Sequence, residues 1–307
     1  MTQSCTHASL IMELDVGGCW LASASLPQVL DLSKDNFHGH LPIDFSHLPW
    51  LEKLSIWRNH FNGLIPQTTS HCHHHQVLFA AENEFYGSIP EFLSSLPKLK
   101  FLNLYDNGLT GTIPVTFANI SKLEHLNIGQ NQMHGNIHSE LGSITRLQVF
   151  CVEKNILTGS KVKQFVINIT AWSLGVEGFV GAILARNSFK GHLPLGLGNV
   201  AMMFNMDISV NKLSGELPLL LSKLQMLEYL NLSQNTFDGY IPEQLDHMRA
   251  IACNEHFSDA NFLGSGSFGS VYKEILADGR TVAVKPRSLS TFRCPSFESV
   301  PKIGYHD

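Results

Sequence analysis

Leu99–Pro114 reads LKFLNLYDNGLTGTIP, or L-x-x-L-x-L-x-x-N-x-L-x-G-x-I-P. Leu102 and Leu104 alternate with Asn103, the period of a strand with one buried face. Leu99, Leu109 and Ile113 fill the interior behind that strand. Asn107 falls where the strand ends, and Gly111, Ile113 and Pro114 close the unit. The frame recurs on both sides of this stretch. Asn59, Asn83, Asn107, Asn131 and Asn155 hold the bend position, with Asp35 one step earlier, and each step is 24 residues (59 − 35, 83 − 59).

A 24-residue period of this form is a leucine-rich repeat. A single unit cannot bury its leucine face, so neighbours stack and the leucines merge into one core. An amide side chain donates and accepts at once, so Asn at each bend can pair buried backbone groups of adjacent loops. Proline fixes φ and suits the start of a short convex turn. The expected fold class is α/β: a solenoid with a curved parallel sheet on its concave face and short turns or 3-10 helices on its convex face. About nine units are expected over residues 26–252, with the repeat pattern itself stopping after Met248. Residues 1–25 match no repeat.

Two flaws interrupt the pattern. The third unit needs apolar residues where the sequence has Thr69, Cys72 and His75, before Leu78 restores the frame. After Asn155 the next bend is Asn187, a step of 32 (187 − 155), so eight residues are surplus. The expectation is that the surplus loops out or forms an irregular unit over 156–186, where the ladder is open to skipping or fraying. The apolar stretch Phe165–Ala185 lies there. Asn168 and Glu177 near its centre favour a degraded repeat over a membrane span.

The chain has 307 residues and a net charge of −5, which argues against a nucleic-acid partner. Cys5, Cys19, Cys72, Cys151, Cys253 and Cys294 have no zinc-knuckle or redox spacing. Asn119, Asn168 and Asn231 head N-x-[ST] triplets and are candidate glycosylation sites. The N-terminus has neither a basic region nor a long apolar run, so no signal peptide is read there.

Asn261–Lys285, NFLGSGSFGSVYKEILADGRTVAVK, is a different object. Gly264-x-Gly266-x-x-Gly269-x-Val271 lies between β-prone runs, Asp278–Gly279 reads as a hairpin turn, and Val282-Ala283-Val284-Lys285 follows. Together these are the ATP-binding opening of a protein kinase, in which glycines let backbone amides approach phosphates and the lysine pairs with them. Residues 253–307 are therefore assigned to a truncated kinase N-lobe.

Repeats of this form joined to LGSGSFGSVYK and VAVK resemble plant leucine-rich-repeat receptor-like serine/threonine kinases, most closely the immune-receptor branch. The resemblance covers about residues 26–285. It implies an extracellular ligand-binding solenoid, location at the plasma membrane, and a nucleotide site at Leu263, Gly264, Gly266, Gly269, Val271, Ala283 and Lys285 for ATP and Mg. The departures are equally specific. Only Cys19–Trp20 is similar to the family's N-terminal cap, and Leu245–Phe257 is too short and polar to span a membrane. No H-R-D or D-F-G follows Lys285 within the 22 remaining residues (307 − 285). The expectation is a chain that does not catalyse phosphoryl transfer and does not bind ATP.

On the concave face the exposed candidates for ligand contact are Trp57, Arg58, Phe79, Asn103, Tyr105, Asp106, Glu153 and Lys154, residue types that interface hot spots use. The run His71, Cys72, His73, His74 and His75 invites a metal reading. Contiguous residues rarely converge tetrahedrally, and the frame turns Cys72 and His75 to the core. The primary reading is a recognition module for a peptide or protein, with a co-receptor as a further partner. The alternatives are an ATP-dependent serine/threonine kinase receptor in signalling or defence, were the chain a piece of a longer product, and a non-functional gene product.

Overall fold

Each unit supplies one three-residue strand with an apolar middle residue, and the strands pair in chain order. The computed structural model describes residues 28–41, 48–67, 72–159, 181–194, 197, 203–238, 250–252, 262–266, 269–275 and 281–284. Val29–Asp31, Lys53–Ser55, Val77–Phe79, Phe101–Asn103, His125–Asn127, Val149–Cys151, Gly181–Ile183, Asn205–Asp207, Tyr229–Asn231 and Ala250–Ala252 form one ten-stranded sheet, each strand parallel to the next. Leu54, Leu78, Leu102, Leu126 and Phe150 stand in register and are fully buried. Leu102 and Leu230 lie in the same sheet, as the single register requires. The tenth strand carries the solenoid past Met248, where the repeat pattern had been read as ending.

The convex side corrects the fold class. Its described helices are 3-10 and short: Glu91–Ser95, Val115–Asn119, Ser139–Ser143 and Leu219–Lys223. No α-helix occurs among the described residues, so the architecture is a parallel β-solenoid rather than α/β. A 24-residue circuit that spends its length on strands and bends leaves about one helical turn. Pro90, Pro114 and Pro218 precede three of these helices at φ −72°, −60° and −62°. His138 takes the fourth place at φ −73°, adopting unaided what the pyrrolidine ring imposes.

A feature absent from the sequence reading is a second strand in most units, on the flank between bend and helix. His38–His40, His60–Gly63, Glu84–Ser88 and Gly108–Thr110 form one parallel sheet. Thr158–Gly159, Ser188–Gly191, Lys212–Glu216 and Thr236–Asp238 form another. Gly111 closes this flank at φ +81°, and a Cβ there would stand 3.2 Å from that of Ser88. Both constraints call for glycine.

The asparagine ladder is complete among the described units. Asn131 Oδ1 accepts the Leu109 N–H at 3.0 Å, and its Nδ2 donates to the Leu104, Ile128 and Gly129 carbonyls at 3.0, 3.2 and 3.0 Å. Each amide thus links its own bend to the preceding unit, not to units on both sides. The residue before each ladder asparagine is left-handed: Arg58, Glu82, Asp106, Gln130, Lys154, Arg186, Val210 and Gln234 have φ between 51° and 59°. Its N–H bonds to the following unit, as Asp106 does to the Gly129 carbonyl at 3.0 Å.

The surplus between Asn155 and Asn187 does not break the ladder. Val149–Cys151 pairs directly with Gly181–Ile183. Leu157 N–H reaches Asn187 Oδ1 across 30 residues where other units span 22, and Asn187 Nδ2 reaches the Val152 carbonyl across 35 where others span 27. Both differences equal the surplus of eight. The last residues of the apolar stretch are a repeat strand, and no helix among the described residues is long and apolar enough to cross a membrane. The rest of the insertion lies outside the described residues.

In the damaged third unit, Cys72 and His75 are buried in the core, as the frame predicts. Cys72 replaces Leu48 and Leu96, and its thiol is pushed up to about 11 by burial. Beyond the solenoid, Phe262–Gly266, Gly269–Ile275 and Thr281–Val284 form a three-stranded antiparallel sheet.

Candidate ligand-recognition surface

Strand alternation and the left-handed bend together set three columns of side chains on the concave face, one residue per unit in each. The first contains Ser55, Phe79, Asn103, Asn127, Cys151, Ile183 and Asp207. The second, two residues on, contains Trp57, Ala81, Tyr105, Gly129, Glu153, Ala185 and Ser209. The third is the left-handed residue itself, including Arg58, Asp106, Gln130 and Lys154. The eight residues named from the sequence fall in all three columns rather than in one.

Two of the eight are not exposed. Phe79 is 5% exposed because it packs with Val77 and Phe101 in an apolar cluster on the sheet's concave side. Glu153 is 9% exposed. Its carboxylate lies against Gly129, with Cδ 2.6 Å from where a Cβ on that glycine would stand. Burial pushes the Glu153 carboxyl up to about 7, and the charge of Asp207 adds to the rise. The Glu153 backbone and Lys154 oppose it.

The other six are at least partly open. Lys34 Nζ sits 4.5 Å from the Trp57 ring centroid, and Arg58 Nε is 3.5 Å from Glu82 Oε2. Asn103 Oδ1 accepts the Tyr105 N–H at 3.1 Å. Tyr105 Oη donates to Gln130 Oε1 at 2.9 Å, and Lys154 Nζ donates to the same oxygen at 2.6 Å. Asp106 holds its left-handed place beside them. Gln130 was missed from the sequence. Its only signal was its place just before Asn131, the position that Asp106 holds before Asn107.

Also unforeseen is a polar group farther along the face. Asp207 accepts from Ser209 N–H and Oγ–H at 3.0 and 2.6 Å and from Asn231 Nδ2 at 3.2 Å. Beside it, burial and then the Asp207 charge push the Tyr229 hydroxyl up to about 12. His125, stacked on Phe101 at 4.7 Å, is lowered by burial to about 4.

Asn119 is exposed at the end of a convex helix, whereas Asn231 lies in a concave strand. Asn168 is outside the described residues. The histidine run is dispersed: Cys72 and His75 face the core, and His74 meets Lys98 Nζ at 2.9 Å and the Trp50 ring at 4.8 Å. His73 is exposed, and His71 is outside the described residues. In the three-stranded sheet, Leu263, Gly264 and Gly266 lie on the first strand, Gly269 and Val271 on the second, and Ala283 on the third. Lys285 lies outside the described residues.

The Leucine Rich Repeat family matches residues 98–120 and 226–248. No curated protein matches the chain in sequence. Among solved structures the chain is similar to the plant peptide hormone receptor RGFR1 in complex with RGF2, with a TM-score of 0.68 and 27% identity over 74% of this chain and 36% of that one. It is similar to a TDR receptor, with a TM-score of 0.68 and 30% identity over 73% of this chain and 38% of that one. A third is the Arabidopsis receptor kinase HAESA in complex with the peptide hormone IDA and the co-receptor SERK1, with a TM-score of 0.50 and 27% identity over 78% and 47%. The chain spans between about a third and a half of the length of these receptors. Its repeats are leucine-rich repeats, and its structural neighbours include ectodomains of plant leucine-rich-repeat receptors.

Proposed function

We propose that the chain is a ligand-recognition module of a plant receptor at the plasma membrane, binding a peptide or protein on its concave face and engaging a co-receptor. The observation that carries this reading is the concave face itself. Three stacked columns, held in place by the asparagine ladder, present Trp57, Arg58, Tyr105, Asp106 and Lys154 on backbone that does not need to order on binding. Pre-organised aromatic and charged side chains favour recognition because little freedom is lost. The likeness to RGFR1 and HAESA, each solved with a peptide hormone, supports the same reading.

The test is selection of binders from a random dodecapeptide library displayed on phage, with the full chain immobilised. Peptides recovered on the wild type are expected to lose about tenfold or more in affinity against Trp57→Ala or Tyr105→Ala, as hot-spot aromatics do. Equal binding to both variants would remove the concave face from the reading.

A second reading concerns residues 253–307. The glycine pattern and the antiparallel pairing of its three strands favour descent from the nucleotide-binding opening of a serine/threonine kinase of the immune-receptor branch. We infer no ATP or Mg binding by this chain, since Pro301 stands sixteen residues after Lys285 (285 + 16), about where that kinase family carries the glutamate that pairs with the strand lysine. Titration of the full chain with Mg-ATP is expected to give no isotherm at millimolar nucleotide. A saturable isotherm that disappears in Lys285→Met would favour the kinase reading instead.

A further inference from the structure

The second concave column has a gap. Between Tyr105 and Glu153 the corresponding residue is Gly129, so one side chain is missing from an otherwise continuous row. Successive strands lie about 5 Å apart, which leaves a notch roughly two spacings wide between the flanking Cα atoms. Glu153 leans into it: its Cδ, Oε2 and Oε1 lie 2.6, 2.7 and 2.8 Å from where a Cβ on Gly129 would stand.

One carboxylate oxygen is not satisfied there. Oε2 is buried and has no hydrogen-bond partner. Neighbouring donors make hydrogen bonds to other acceptors. Lys154 Nζ and Tyr105 Oη both donate to Gln130 Oε1, and the Gly129 N–H donates to Asn127 Oδ1 at 3.1 Å. Tyr105 reaches across to the residue following Gly129, which brings its hydroxyl beside the notch. A buried carboxylate oxygen with no donor is costly, and a cation brought to it reduces that cost.

We propose that the notch over Gly129, between Tyr105 and Glu153, is a subsite for a basic side chain of a bound peptide, a guanidinium or an ammonium group. The proposal rests on the peptide-recognition reading above and adds the chemistry of one ligand position to it. Gly129, by lacking a side chain, lets the Glu153 carboxylate lie across this part of the column, where a cation arriving from the concave side would meet it. Tyr105 supplies a ring whose face attracts a cation, and Glu153 supplies the charge. The raised Glu153 carboxyl fits this assignment, since an arriving cation would hold it ionised at neutral pH.

The experiment repeats the dodecapeptide selection on the full-length wild type, Glu153→Gln and Glu153→Lys. Wild-type binders are expected to be enriched in arginine or lysine at one position. Glu153→Gln should still select peptides but without that enrichment, and Glu153→Lys should select aspartate or glutamate there. A selected arginine peptide and its citrulline counterpart are then titrated into the wild type. The neutral isostere should bind roughly tenfold more weakly, the size of one charge-assisted hydrogen bond. This comparison stands even where a variant does not fold. Equal binding of the two peptides, or the same basic enrichment on Glu153→Gln, overturns the subsite while leaving peptide recognition intact. Recovery of no peptide by the wild type overturns the recognition reading, and the subsite with it.

Discussion

Replacing His75 by leucine should stabilise the third unit, and the gain should grow as the pH falls. His75 occupies the core position that Leu51 and Leu99 fill in the adjacent units; it is 2% exposed, and neither ring nitrogen has a hydrogen-bond partner. Burial lowers its pKa from 6.5 to about 4; the Leu51 backbone opposes this at a geometry short of a hydrogen bond. The unfolded chain therefore takes up a proton near pH 6.5 that the folded chain refuses until about pH 4. Between those values the unfolded state binds more protons, so stability is lost as pH falls. A shift of about 2.5 units corresponds to about 3 kcal/mol in full, of which about 2 kcal/mol is lost by pH 5.

At pH 7.5 the leucine variant should already be more stable by roughly 1–3 kcal/mol, because unpaired buried polar groups are replaced by apolar ones. The gap should widen by about 2 kcal/mol at pH 5. His125 and Glu153 also titrate in this range, but they are common to both proteins and cancel in the difference. Solenoids unfold by neighbouring units, so the measurement should be local: hydrogen exchange at the strand amides of Leu78 and Leu102, alongside urea unfolding, from pH 5 to 8. A gap that stays constant across that range would mean that His75 is hydrated or paired in solution, and the reasoning would fail.

Asn131→Ala should cost about 1–3 kcal/mol, since it leaves the Leu109 N–H without its acceptor and removes one of the two amide donors to the Leu104 carbonyl; a urea midpoint shift worth less than about 1 kcal/mol would contradict the ladder's role. Gly111→Ala should cost about 1–2 kcal/mol through left-handed strain and crowding against Ser88, read by calorimetry. Val210→Asn should stabilise by about 1 kcal/mol, because a β-branched residue at φ 53° gives way to one that tolerates that region; an unchanged melting temperature would count against strain at this position.

How much could be read in advance follows from which residues repeat. Leucines at fixed spacing declared the buried face, and the asparagine frame located every bend, because these positions are under the same packing constraint in each unit. The flanking strands were hidden, since their residues, such as His38, His60 and Glu84, share no hydrophobic alternation and are ordered by backbone pairing with neighbours. The insertion before Gly181 looked like a flaw because spacing along the chain was taken for spacing along the sheet. Hydrogen bonds from Asn187 act across space, and eight extra residues change only the path between two strands that still meet.

The concave face was legible in part for a related reason. Alternation said which side chains leave the core, but it could not say that a glycine beside Glu153 would let a carboxylate fold down out of solvent. A residue's exposure there depends on what its neighbours lack, and Gly129 has no side chain to announce itself. The same logic confines the notch to one place in the column. The frame places Ala81 and Ala185 elsewhere in that column, but among the named positions it brings a missing side chain, an aromatic ring and an acid together once. Filling it with Gly129→Ala would drive the Glu153 carboxylate outward, since the new methyl would meet it at 2.6 Å. The freed carboxylate should titrate nearer to an ordinary glutamate, measurable by the pH dependence of its carbon shift, and a value still near 7 would show that something other than its place over Gly129 sets it.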